Sequence, residues 1–155
     1  MVALTLPDGS VREFDGAASG ADLAADIGPG LAKAALAVRV DGNLWDLHRP
    51  IETDAAVAIV TLKDDDETVL NLLRHDAAHI LAEAAKELWP DIQVTIGPSI
   101  ENGFYYDFSR AEPFTPDDLD AMEKRMHEIV NRDEKLERDV WERSKAIDYF
   151  KGIGE

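Results

Sequence analysis

No cysteine occurs among the 155 residues. Disulfides, cysteine–zinc fingers, iron–sulfur clusters and thiol catalysis are therefore excluded within this chain. Aromatic residues are few, at 7%. Positive charge is scarce as well: 16 lysines and arginines face 32 aspartates and glutamates, a formal net charge of -16. Such a chain is soluble and binds phosphate backbones poorly by itself, because that binding needs cations to displace counterions. A basic nucleic-acid module is excluded, whereas a larger protein whose other segments hold the nucleic acid is not. No run approaches the ~18 apolar residues of a membrane helix. The opening residues, Met1 to Asp8, lack the basic and apolar regions of a secretion signal. The expected location is the cytoplasm, with no membrane partner. The ten glycines form neither of the common phosphate-binding loops.

What is present divides in two. Lys63-Asp64-Asp65-Asp66-Glu67 is a polar, acidic run between two apolar-patterned regions, and a linker is expected over residues 63–68. Before it, residues 1–62 read as a small β-grasp-like unit. Val2, Leu4 and Leu6 alternate as on a strand, Pro7–Ser10 turns, and Val11–Phe14 returns as a hairpin. Ser19 caps a helix over Ala21–Ile27, which Gly28-Pro29-Gly30 stops. Leu36–Asp41 and Val57–Leu62 are further strands, with Asp41-Gly42 a hairpin turn. After the linker, residues 69–155 read as a second α+β unit. A helix over 67–89 carries an apolar stripe at Leu70, Leu73, Ala77, Ile80, Ala84 and Leu88. Ile92–Ile96 and Phe104–Phe108 read as strands, with a tight turn at Asn102-Gly103. Thr115, Pro116 and Asp118 start a helix, Leu136–Trp141 alternates like an edge strand, and Ala146–Phe150 is helical.

His75 and His79 lie one turn apart on the long helix, off its apolar stripe. Imidazoles so spaced can share a metal ion, do acid–base work on a substrate, or simply be solvated. A metal site needs further ligands, and nothing in the sequence brings His48 or His127, the other two histidines, near. The segment Ile96–Asp107 combines the rigid Gly97-Pro98 with Phe104, Tyr105 and Tyr106, which is either an aromatic hairpin of the core or the wall of a pocket. On the helix after Pro116, the mixed charges Glu123, Lys124, Arg125, Glu128 and Arg132 read as a solvated face.

Taken in order, these motifs resemble a known family. Leu4-Thr5-Leu6-Pro7-Asp8-Gly9-Ser10 and Ala25–Ala34 are similar to the TGS domain that opens bacterial threonyl-tRNA synthetases, and that also occurs in some GTPases and ppGpp synthetases. Leu73-Arg74-His75-Asp76-Ala77-Ala78-His79-Ile80-Leu81 resembles the H-x-x-x-H helix of the synthetases' editing domain. Ile96–Asp107 resembles its IGP…NGFYYD segment, and Glu123–Glu128 its next helix. The resemblance implies hydrolysis of serine wrongly esterified to threonine tRNA. It assigns His75 and His79 to catalysis upon an attacking water, and Gly97, Tyr105 and Tyr106 to the substrate-binding wall. No metal is expected here, His75 and His79 being the possible ligands. ATP, magnesium and zinc are implied for an aminoacylation domain that this sequence lacks. The implied partners are the tRNA acceptor end, held weakly by this piece alone, the rest of the synthetase chain, and a second subunit of a homodimer.

The family's editing domain also carries a C-x-x-x-H element, and a chain without cysteine cannot supply it. The expectation is an N-terminal fragment with an incomplete editing domain, inactive alone, and prone to dimerise or to partial disorder over 136–155. The alternative is a free-standing TGS-type interaction or regulatory module without catalysis.

Overall fold

The computed structural model describes residues 1–64, 67–134, 136 and 138–154. The chain divides by its internal contacts into two compact units, Met1–Leu70 and Asn71–Glu155.

The first unit is a mixed five-stranded sheet of β1 (Val2–Thr5), β2 (Val11–Phe14), β3 (Ala35–Val40), β4 (Asn43–Asp46) and β5 (Ala55–Thr61), with the helices α1 (Gly20–Ile27) and α2 (Pro29–Ala34). The strand order is β2-β1-β5-β3-β4, and the central pair β1–β5 is parallel. This is the expected β-grasp-like, α+β arrangement. Alternation decides the register. Val2 and Leu4 face inward from β1, Val38 and Val40 from β3, and Val57 from β5, around Leu23 of α1 and Ile51. The β3–β4 hairpin turns on Asp41 and Gly42, both at positive φ (48° and 81°), as a two-residue turn that matches strand twist requires.

Ser19 caps α1 as read from the sequence, and the cap is reciprocal. The Asp22 N–H donates to the Ser19 hydroxyl, and the Ser19 N–H donates to the Asp22 carboxylate at 2.8 Å. The Ser19 hydroxyl also donates to that carboxylate, and these bonds hold Asp22 below its ordinary pKa. Ser19→Ala is expected to cost about 1 kcal/mol of stability, measurable as a lower midpoint in urea unfolding. Gly28-Pro29-Gly30 ends α1 as expected, but the chain does not leave helix there. Pro29 opens α2 at its first position, where the missing N–H costs nothing.

The second unit contains most of α3 (Glu67–Leu88), then α4 (Pro116–Arg132) and α5 (Arg143–Gly152). Two short ladders pair β6 (Gln93–Val94) with β9 (Phe108–Ser109), and β7 (Ser99–Ile100) with β8 (Gly103–Phe104). Helix α3 begins within the acidic run read as a linker, whose Asp65 and Asp66 lie outside the described residues. Its buried face matches the expected stripe at Ala84, and at the half-buried Ala77, Ile80 and Leu88, but not at its N-terminal end. Ala78, Ala84 and Ala85 are buried, whereas Leu70 and Leu73 are exposed. Small alanines let α3 pack closely. Ala85 joins Ile92 and Met122, with Leu81, Leu88, Trp89 and Phe108 against them.

The strands are shorter than the apolar runs suggested: regular pairing between them is confined to Gln93–Val94 with Phe108–Ser109, and beyond it Thr95 and Ile96 bond only to Asp107. The tight turn sits one residue earlier than expected, on Glu101-Asn102, with Gly103 already in β8. Thr115, Pro116 and Asp118 start α4 with the anticipated capping box. Over 136–141, no strand forms among the described residues, and Glu137 lies outside them. Trp141 instead packs edge-on against Tyr149 of α5, and its indole N–H donates to Asp139.

The mixed-charge face of α4 is exposed at Glu123, Lys124, Glu128 and Arg132 as expected, and two of its arginines also clamp α3. Arg132 grips the carboxylate of Glu87 on α3 with both terminal nitrogens, and Arg125 donates to it at 2.8 Å while also pairing with Glu128. These hydrogen bonds, from Arg132 first and Arg125 second, lower Glu87 from its ordinary 4.5 to about 2. The folded state holds Glu87 ionised where the unfolded chain would take a proton. The clamp's contribution is therefore fully present above pH 4.5 and is lost as pH falls through about 2. A carbon-detected NMR titration of Glu87 is expected to show a midpoint near 2, and Arg132→Ala to raise it toward the ordinary carboxylate range.

Candidate active site

Within the second unit, α3 and the segment 95–106 enclose an open cleft of about 290 Å³. His75, Ala78 and His79 line it from α3, and Thr95, Ile96, Gly97, Pro98 and Tyr106 line it from the segment. The helix places its residues by periodicity: positions 75, 78 and 79 share one face. Ala78 between the two imidazoles is buried and small, so the floor of the cleft stays low.

The imidazoles meet. His75 Nε2 and His79 Nε2 stand 3.0 Å apart, and the rings cross edge to face at 80° with centroids 4.5 Å apart. One nitrogen must donate and the other accept, so this edge holds a single proton between two rings. Two doubly protonated rings would turn like charges and two hydrogens toward each other. Both histidines are exposed to the cleft. The pair can therefore pass a proton to and from a substrate or a water.

Two imidazoles make half of a tetrahedral site. Among the described residues, no group of three or more histidines, aspartates or glutamates converges. The two Nε2 atoms are also engaged with each other.

The opposite wall is built by close approach. A Cβ added to Gly97 would fall 2.1 Å from Cδ2 and 2.4 Å from Cε2 of Tyr106. Position 97 thus has no side chain because the tyrosine ring occupies its space. Three hydrogen bonds tie the two strands of this wall. The Thr95 N–H and Oγ1 donate to the carbonyl of Asp107 at 3.2 and 2.7 Å, and the Asp107 N–H donates to the carbonyl of Ile96 at 3.0 Å. Tyr106 stacks on Phe108 at 4.8 Å, with the rings 20° from parallel.

Of the residues singled out from sequence, His75, His79, Gly97 and Tyr106 come together here. Tyr105 is exposed and does not line the cleft, as alternation along an extended segment dictates for a neighbour of Tyr106. Ala78 and Thr95 were not singled out. The first could have been found from its i+3 spacing to His75. The second carried no signal, since its role depends on a bond to Asp107, twelve residues away. His48 lies in the first unit, and His127 on α4 does not line the cleft.

Comparison with known proteins bears out the family resemblance. Residues 2–61 match the TGS domain. The whole chain is 61% identical to threonine–tRNA ligase of Rhodospirillum rubrum, and equally to that of Granulibacter bethesdensis. It is 59% identical to that of Paramagnetospirillum magneticum. In each case all 155 residues align and cover 24% of the relative. The chain spans about a quarter of the length of the curated relatives it matches.

Proposed function

We propose that this chain, similar to threonyl-tRNA synthetases along its entire length and carrying their TGS domain, is a proofreading segment of such an enzyme. The parent joins threonine to its tRNA using ATP, in the cytoplasm. The cleft of the second unit removes serine esterified to that tRNA by mistake. ATP, magnesium and zinc serve aminoacylation in other parts of the parent, and no step here runs through them. The partners are the tRNA acceptor end, the remainder of the synthetase chain and a second subunit.

The observation that carries this reading is the hydrogen-bonded pair His75–His79 facing the Gly97–Tyr106 wall across one cleft. Chemically the need is plain. A synthetic site that admits threonine also admits the smaller serine, and one methyl group supplies only ~1–3 kcal/mol of discrimination. A second, hydrolytic site restores accuracy. A water in the cleft gives a proton to an imidazole nitrogen outside the Nε2–Nε2 bond, which keeps its single proton, while the water oxygen attacks the ester carbonyl. The bond from that carbon to the ribose oxygen then breaks. The ribose oxygen takes a proton back from the pair, and serine leaves as a free acid.

The test is deacylation of serine- and threonine-charged threonine tRNA by a full-length ligase carrying this segment, with and without His75→Ala/His79→Ala. Serine loss that depends on the histidines, with threonine spared, is the expected result. Equal serine loss in both proteins sinks the reading and leaves the TGS-type interaction module. For the 155-residue chain alone, no deacylation above buffer is expected.

No helix among the described residues is long and apolar enough to cross a membrane.

A further inference from the structure

We infer that Phe108 is a positioning residue for this reaction: it fixes the plane of Tyr106 and thereby the shape of the wall that faces the histidines. The inference rests on the proofreading reading above. Tyr106 is half-buried and lines an open cleft, so packing on the cleft side does not hold its ring. Two contacts do. Gly97 lies against the Cδ2–Cε2 side, and Phe108 stacks on a ring face. Gly97 limits where the ring can go but offers no surface to attract it. Phe108 supplies that surface and is itself anchored twice.

Its backbone pairs with Val94 in the β6–β9 ladder. Its ring packs on the apolar core of the unit and meets Phe114 edge-on at 5.8 Å, which in turn meets Trp89 at 5.6 Å. The rigidity of the core therefore reaches the cleft through one aromatic contact. Stacked pairs of this kind contribute about 0.5–1.5 kcal/mol beyond burial, enough to select one ring orientation about 2- to 13-fold over alternatives.

The experiment has two arms. In a full-length ligase carrying the segment, Phe108→Leu and Phe108→Met remove the stacking face, and Phe108→Tyr keeps it. Both aliphatic variants are expected to lower kcat for seryl-tRNA hydrolysis by about 2- to 13-fold with KM little changed, the factor by which the stack selects the ring orientation. The tyrosine variant is expected to recover most of the rate. Equal losses in all three would mean that Phe108 acts through core packing, and would overturn the inference.

The second arm needs no activity. The 155-residue chain is labelled with 3-fluorotyrosine, and the Tyr106 resonance is assigned with Tyr106→Phe. Phe108→Leu and Phe108→Met should shift and broaden that resonance, whereas Phe108→Tyr should leave it narrow. An unmoved resonance in the aliphatic variants refutes the positioning role. If His75→Ala/His79→Ala leaves hydrolysis intact, the proofreading reading fails, while the fluorine spectra still decide whether Phe108 fixes Tyr106.

Discussion

Replacing either His75 or His79 by alanine is expected to lower seryl-tRNA hydrolysis by a full-length ligase about 10²- to 10⁴-fold, the range that general acid–base groups supply. The double replacement is expected to cost little more than either single one. The reason is geometric. The two Nε2 atoms share a hydrogen bond at 3.0 Å, so removing one ring deprives the other of the partner that fixes its proton. Residues that act as a unit give losses that do not add. Stability should hardly change, by about 0.5 kcal/mol or less, because both rings are exposed and neither belongs to the buried core. A solvated pair without a task would show the same stability and no loss of hydrolysis. Single-turnover deacylation beside a thermal melt separates the two cases.

Gly97→Ala is the second large effect. A methyl group at this position would sit 2.1 Å from Cδ2 and 2.4 Å from Cε2 of Tyr106, far inside van der Waals contact. Two responses are open. If the ring stays, the backbone of residues 95–98 must move and break its ties to Asp107. If the ring leaves, the stack on Phe108 is lost and the ring swings into the cleft. Overpacking of this kind costs about 1–3 kcal/mol, and both responses deform the cleft. Hydrolysis should fall further than in the Phe108 variants, by ~10²-fold. Tyr106→Leu placed on Gly97→Ala should recover much of the stability, because it removes the atoms that clash. A double-mutant cycle by urea unfolding measures this coupling. Additive losses would mean that glycine is needed at 97 for some reason other than the tyrosine.

What could be read from the residues alone divides by the range of the interactions. Local chemistry was legible: Ser19 and Thr115 as caps, Asp41-Gly42 as a turn, alternation in β1 and β3, and the shared face of His75 and His79. Each depends on neighbours within a few positions. One misreading was local, the hairpin turn placed one residue late; the others involve partners farther along the chain. Leu70 and Leu73 suit an apolar stripe by spacing, yet burial on α3 follows the alanines that allow close packing. Arg125 and Arg132 sit on an exposed face as read, but their shared carboxylate, Glu87, was not legible because it lies 38 and 45 positions away. Residues 136–141 alternate like a strand, but Trp141 packs against Tyr149 of α5, and no partner strand exists among the described residues. The same holds in the cleft. The histidines and Gly97 stood out by type and spacing, whereas the reason for Gly97, a tyrosine ring in its Cβ position, is visible only in three dimensions.

The central claim is that the seryl end of the tRNA lies between the histidine pair and the Gly97–Tyr106 wall. The most direct measurement is a crystal structure of a full-length ligase carrying this segment, soaked with adenosine bearing serine at its 3′ position through a stable amide in place of the ester. The expected result is the serine moiety in this cleft, with its carbonyl carbon within a water's reach of His75 or His79. Occupancy of another site, with this cleft left as it stands without the analogue, would contradict the account.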